Sequence, residues 1–408
     1  MQTEQRFSAL YSRDFRLFWF GQVISLSGTW MQSVAQSWLV YSLTKSPLYL
    51  GIIASVASFP ILCLTLIGGM VADRYPKRSI LILTQALSAM PALILGVLTY
   101  TDTVTVLHVG ILAAFLGTVN AFDIPARQAF LAEVVEKSAI TNAIALNSAA
   151  FNGARIIGPV IAGIVISSLG IPACFFLNAI SFIAVIFALL RIAARGTIAT
   201  HRASFFKEIA GGRHFVVTTK PILYIMTLIS LFSLFGIPYM TLLPVLAGEV
   251  FNAGARGLSL LVASAGAGSL LAAVFIAFKG KIEREDIFIP ISGLIFSAAI
   301  LALSFSRNFY ISLLSIFAAG WGIVGYLAAC NSYIQNRVPD ALRGRVMSLY
   351  TLVFLGFAPL GNLFIGFTAE AAGSIASLKI FALVCILGSI IFFRQFRRKV
   401  PDYEVAGD

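Results

Sequence analysis

Gly68-Gly69-Met70-Val71-Ala72-Asp73-Arg74-Tyr75-Pro76-Lys77-Arg78 is the stretch whose reading decides the fold. It joins two runs, residues 48–72 and 80–100, that contain no charged side chain. Each is long enough to cross the hydrocarbon core of a bilayer as a helix. Between them lie one acid and the bases Arg74, Lys77 and Arg78. So short a basic gap between two apolar rods marks a turn on the cytoplasmic side of a membrane.

Such runs recur along the whole chain. Hydrophobic residues are 59% of the 408 and charged residues only 11%, too little polar surface for a soluble protein of this size. Twelve spans are expected, at 17–43, 48–72, 80–100, 104–125, 143–167, 172–191, 221–247, 257–278, 287–305, 309–331, 346–369 and 375–393. Pro125 is read as the end of the fourth, and Pro238 and Pro244 as breaks in the seventh. In lipid a helix must satisfy its own backbone, so prolines mark kinks or ends supported by neighbouring helices. The polar segment before the first span is read as preceding a retained helix rather than a cleaved signal, for lack of a cleavage site. Cys63, Cys174, Cys330 and Cys385 are scattered through apolar runs and read as packing residues, with no metal site.

The formal net charge of +12 does not point to nucleic acid, because no basic face or nucleic-acid motif accompanies it. Lysine and arginine fall in alternate gaps: Arg13 and Arg16, Arg74 to Arg78, Arg127 and Lys137, the 192–220 stretch, Lys279 to Arg284, Arg337 to Arg345, and the tail Arg394 to Lys399. The other gaps hold only Lys45, Arg256, Arg307 and Lys379. That asymmetry places both termini in the cytoplasm of a cell inner membrane. The organisation expected is a six-helix bundle at 1–191, a cytoplasmic amphipathic linker at 192–220, and a second bundle with a basic tail at 221–408. In the linker, Phe205, Phe206, Ile209, Phe215 and Val216 alternate with Lys207, Glu208, Arg213 and His214, a pattern suited to lying on the inner leaflet. A weak internal repeat supports the halves. Asp123 to Gln128 leads to Gly158-Pro159, and Tyr333 to Pro339 leads to Pro359-Leu360-Gly361, as duplicated halves would show.

Three groups of intramembrane residues suggest a transport path. In the first span Gln22, Ser25, Thr29, Gln32, Ser33 and Gln36 recur at helical spacing, with Trp30 and Trp38 on or near that face. A polar face in lipid turns toward other helices or a wet cavity. Arg155 lies well inside the fifth span, where a charge is expensive and implies a partner, a substrate anion or a snorkelling position. Asn147, Tyr239, Asn331 and Asn362 are further cavity candidates. The fifth span also carries the small positions Ala145, Ala154, Gly158, Ala162 and Gly163 around Pro159, a stripe along which helices can pack backbone to backbone.

The 68–78 loop resembles the loop signature of the major facilitator superfamily, with Pro76 where the family usually has glycine. The fifth-span spacing is similar to the antiporter signature of that superfamily's exporters, with alanine at three glycine positions. Arg13 to Trp19, Gly21 to Trp30, Ala121 to Gln128, Asn142 to Asn147 and Arg337 to Ser348 resemble the exporter branch that includes the enterobactin exporter and macrolide efflux proteins. The resemblance implies an all-α membrane protein with twelve transmembrane helices in two pseudo-symmetric six-helix bundles, working by alternating access. It implies a conformational lock of Gly69, Asp73, Arg74, Lys77, Arg78 and Asp123. In that lock Asp73 would cap the N-terminus of the eleventh span and Lys77 would pair with Asp123. Some relatives carry an acid at the position of Thr29.

The function expected is export of a small amphipathic molecule, a drug-like compound or siderophore, by proton-coupled antiport. Asp123 is the first choice for the coupling carboxylate and Glu133 the second. The alternative is a facilitator or a lysophospholipid flippase. No phosphate loop with its Lys-Ser or Lys-Thr occurs. The histidines His108, His201 and His214 form no catalytic constellation, so neither an enzyme nor a cofactor is expected. The partners expected are substrate, protons and lipid, around a monomer.

Overall fold

The computed structural model describes residues 8–192, 205–280, 282 and 284–399. Residues 193–204 of the expected linker, with His201, and the end of the basic tail lie outside the described residues. Among the described residues there is no β-strand. The helices are α1 (Arg13–Thr44), α2 (Pro47–Arg74), α3 (Lys77–Tyr100), α4 (Val106–Glu133), α5 (Ile140–Leu169), α6 (Ile171–Arg191) and α7 (Phe205–Thr218). They continue as α8 (Lys220–Leu231), α9 (Gly254–Lys279), α10 (Glu285–Phe305), α11 (Phe309–Arg337), α12 (Asp340–Ala372) and α13 (Ser374–Lys399). Among the described residues 11 helices are long and apolar enough to cross a membrane. The 32-residue α1 is long enough as well, but its polar stripe keeps it out of that set. The chain is a multi-pass membrane protein.

Two compact units form. One comprises Met1–His201 with Leu243–Ala263, the other Arg202–Leu242 with Ser264–Asp408. In the first, α2 packs on α4, α3 on α6, and α1 on both α5 and α6. Its core at the basic end holds Phe15, Phe18, Leu81, Phe130, Val185 and Leu189. The Trp19 indole N–H, donating 2.9 Å to the Leu146 carbonyl, ties α1 to α5 there. In the second unit α10 packs on α11 and α13, and α7 and α8 pack on α12. Gly212 of α7 lies against the Arg345 backbone, so the linker helix has a protein partner as well as whatever its other face meets.

Proline explains two features of these helices. The seventh span is broken, as its prolines predict: α8 gives way to a π-turn at Phe232–Gly236, a 3-10 segment at Ile237–Leu242 and a second π-turn at Leu246–Val250. The fourth span corrects the expectation. It does not end near Pro125 but runs on to Glu133. Pro125 has no N–H to offer the Ala121 carbonyl, and the bare Cα of Gly68 on α2 sits on that oxygen, where a methyl would collide. The close approach permits a Cα–H···O contact and keeps the helix going. The second unit repeats the device. Pro238 deprives the Leu234 carbonyl of its donor, and Gly361 of α12 covers it. Glycine thus lets a neighbouring helix support a proline-interrupted one.

Candidate functional site

A polar interior site in the first unit is built on Asp123, which is 2% exposed, on α4. One carboxylate oxygen accepts from Thr84 Oγ1 (2.7 Å) and Gln85 Nε2 (2.9 Å) on α3. The other accepts from the Arg127 guanidinium one turn along α4. Arg127 also donates to Gln22 Oε1 on α1. Three helices therefore converge on one carboxylate. Arg127, read from sequence as a cytoplasmic topology charge, is an internal partner. Its spacing of four from Asp123 was the available signal.

Lys77 corrects the expected lock. It does not pair with Asp123; its ammonium is 3.0 Å from Glu133 Oε1, with both side chains largely buried. Asp123 is already occupied, and Glu133 is brought beside Lys77 only because α4 continues past Pro125. The partnership is testable. Lys77→Met should cost about 3 kcal/mol by leaving a buried acid uncompensated, and adding Glu133→Gln should recover most of it. A double variant as unstable as the sum of the two single ones, in thermal unfolding in detergent, would refute the coupling.

Arg78 donates from Nε (2.6 Å) and Nη2 (2.9 Å) to the carbonyls of Leu189 and Leu190. It thereby satisfies the C-terminal end of α6, where the helix dipole is negative. Asp73 and Arg74, by contrast, are exposed. Gly69 has nothing within 4 Å of where its Cβ would be. The packing glycine of the loop is Gly68, not Gly69.

The polar stripe of α1 divides. Gln22 and Gln32 are buried in interhelical hydrogen bonds, the latter accepting from Asn178 Nδ2 on α6 at 2.6 Å. Ser25 is also buried, and its carbonyl accepts from Thr29 Oγ1. Thr29 and Ser33 are exposed and Gln36 half-buried. Trp30 packs edge-on against Phe151 (6.0 Å), with the Arg155 guanidinium 5.5 Å from its ring centre, a favourable cation–π distance. Trp38 instead lies beside Tyr41. On α5, Ala154, Gly158, Pro159 and Gly163 are buried as a packing stripe should be. A Cβ at Gly158 would stand 2.5 Å from the Ser27 carbonyl of α1, and one at Gly163 3.0 Å from Ser259. Asn147 is half-buried.

Of the second unit's candidates, Tyr239 is core, packed on Phe296. Asn362 Oδ1 accepts from Thr241 at 3.1 Å. Asn331 accepts from Gln335. Two carboxylates at span ends escaped the sequence reading. Glu285, the first residue of α10, is largely buried and bonds Arg337 and Ser332 of α11. Glu249 accepts from Tyr41 Oη at 3.2 Å within the first unit. Neither belongs to a recognisable local motif, so their partners were invisible in sequence.

Known proteins resemble this chain in sequence and in fold. A family profile described as transmembrane secretion effector matches residues 4–406. The chain is 28% identical to the staphyloferrin A transporter of Staphylococcus aureus over 95% of its own length and 98% of that protein. It is 26% identical to the multidrug efflux pump Tap of Mycolicibacterium fortuitum, over 92% and 94% of the two chains. Among solved structures, an inward-facing bacterial homologue of the human lysosomal transporter Spinster superposes with a TM-score of 0.75 at 12% identity, covering 95% of this chain and 97% of that one. A POT family transporter gives 0.77 at 14% identity, covering 96% and 97%. The structural likenesses speak for the fold, and the match along nearly the whole chain for the family. The chain belongs to the transmembrane secretion effector family, transporters of the exporter branch of the major facilitator superfamily.

Proposed function

We propose that the protein exports small amphipathic molecules, a siderophore or drug-like compound, by alternating access driven by proton antiport. In this reading α1 counts as a twelfth span, the spans form two six-helix bundles at 1–191 and 221–408, and both termini lie in the cytoplasm at the inner membrane. The observation that carries the reading is the division of labour in the 73–78 loop. Lys77 and Arg78 are anchored within their own unit, while Asp73 and Arg74 are exposed and available to a partner surface. A lock needs such a half-fixed, half-free loop. The siderophore and multidrug transporters among the relatives support the substrate class. Thr29, Ser33, Gln36, Trp30 and Arg155 are the path residues we favour, because they keep access that Gln22 and Gln32 have lost to interhelical bonding.

Coupling requires a carboxylate whose proton affinity changes between states. Asp123 fits best, since protonation would weaken its hold on Arg127 and loosen α1, α3 and α4 together. Glu133 is second. The protein works as a monomer. In reconstituted vesicles an imposed pH gradient should drive uptake of an amphiphile from a panel of siderophores, macrolides and dyes. Asp73→Asn should reduce that uptake at least tenfold while insertion and folding stay normal. Full activity in Asp73→Asn would remove the lock, and uptake indifferent to the gradient would remove the antiport.

A further inference from the structure

A cavity of about 560 Å³ opens in the second unit between α11 and α12, within the size range of small-molecule sites. On its α11 wall Asn331, Ser332, Gln335 and Asn336 stand at steps of one and four, so they share one helix face. Asn331 and Ser332 are half-buried, Gln335 and Asn336 are exposed near the helix end, and all four seek polar company. They partly supply it to one another. Gln335 Nε2 donates to Asn331 Oδ1, and Asn336 Nδ2 donates 3.2 Å to Ser332 Oγ. Ser332 Oγ in turn donates 3.2 Å to Glu285 Oε1, whose carboxylate is held by Arg337. A carboxamide has two donor hydrogens and an acceptor oxygen. Those bonds use one hydrogen each of Gln335 and Asn336, leaving a donor and an acceptor on both. Leu327 and the Tyr350 ring line the apolar part.

The chemistry of that wall is selective. Among the described residues that line the cavity none is charged, and the Glu285 carboxylate behind Ser332 is already paired with Arg337, so an ion entering it meets no unpaired counter-charge. Adjacent donor and acceptor pairs suit an amide or a diol, which offers the same pairing back. We propose that this cavity is the selectivity site for neutral substrates. It binds the amide- or hydroxyl-bearing arm of an uncharged amphiphile, whose apolar portion lies on Leu327 and Tyr350. The inference rests on the export reading above.

The test uses two radiolabelled probes in vesicles containing the full-length protein. Chloramphenicol is neutral and bears an amide and two hydroxyls; tetraphenylphosphonium is a permanent cation with no hydrogen-bonding group. Gln335→Leu and Asn336→Leu should each lower chloramphenicol transport at least tenfold, with tetraphenylphosphonium transport falling less than twofold. Gln335→Glu, which keeps the side chain's shape and adds a charge, should give the same selective loss. Equal loss of both probes, no loss of either, or a wild-type protein that moves only the cation would overturn the proposal while sparing the export reading. A wild-type protein that moves neither probe overturns this proposal, and one that also moves no siderophore, macrolide or dye overturns both.

Discussion

Asp123→Ala should lower the stability of the protein by about 3–5 kcal/mol, the usual cost of removing one partner from a buried ion pair. The Arg127 guanidinium would lose its carboxylate, and the Thr84 hydroxyl and Gln85 amide would lose a shared acceptor. Thr84 and Gln85 are buried where no bulk water can replace the lost bonds, whereas the Arg127 side chain is 21% exposed. Asp123→Asn separates the two contributions, because its Oδ1 still accepts from Thr84 and Gln85 while Arg127 faces no charge. It should fall between wild type and alanine. Adding Arg127→Met to Asp123→Ala should restore much of the loss, because the orphaned cation goes with it. Thermal unfolding in detergent reads all four proteins. An alanine variant within about 1 kcal/mol of wild type would mean that the cluster is not a structural centre.

Gly68→Ala and Gly69→Ala should behave in opposite ways although they are neighbours. A methyl at Gly68 would enter the Ala121 carbonyl oxygen and crowd the Phe122 backbone. Neither is a side-chain end that can swing aside. Forcing α2 away from α4 should cost about 3 kcal/mol, the upper part of the overpacking range. It should also expose the carbonyl that Pro125 leaves without a donor. At Gly69 nothing lies within 4 Å, and alanine is a better helix former by about 1 kcal/mol. That variant should be as stable as wild type or slightly more so. Equal losses at the two sites would show that the α2–α4 contact is not organised around Gly68.

Much of the architecture was legible because it is written in local pattern. Apolar runs bounded by charge gave most of the membrane-length helices, though the fourth runs eight residues beyond its expected end, and Pro238 and Pro244 announced the broken seventh helix through their missing N–H groups. The buried stripe Ala154, Gly158, Pro159 and Gly163 was legible for a similar reason, since small residues at helical spacing can only be a packing face or an accident. The candidate site was less legible. Asp123 stood out as a rare acid near a span, but its helpers Thr84 and Gln85 look like ordinary polar residues in an apolar run.

What the sequence alone determined is a set of membrane-length helices and the break in the seventh of them. Those properties depend on hydrophobicity and backbone chemistry summed over neighbouring residues, and they need no knowledge of what lies opposite. Only the tertiary structure decided that Lys77 pairs with Glu133, that α4 survives Pro125, and that Gly68 rather than Gly69 meets the facing helix. One residue along a helix turns the side chain by about 100°, so the choice of partner rests on how each helix is rotated and how deep it sits against its neighbour.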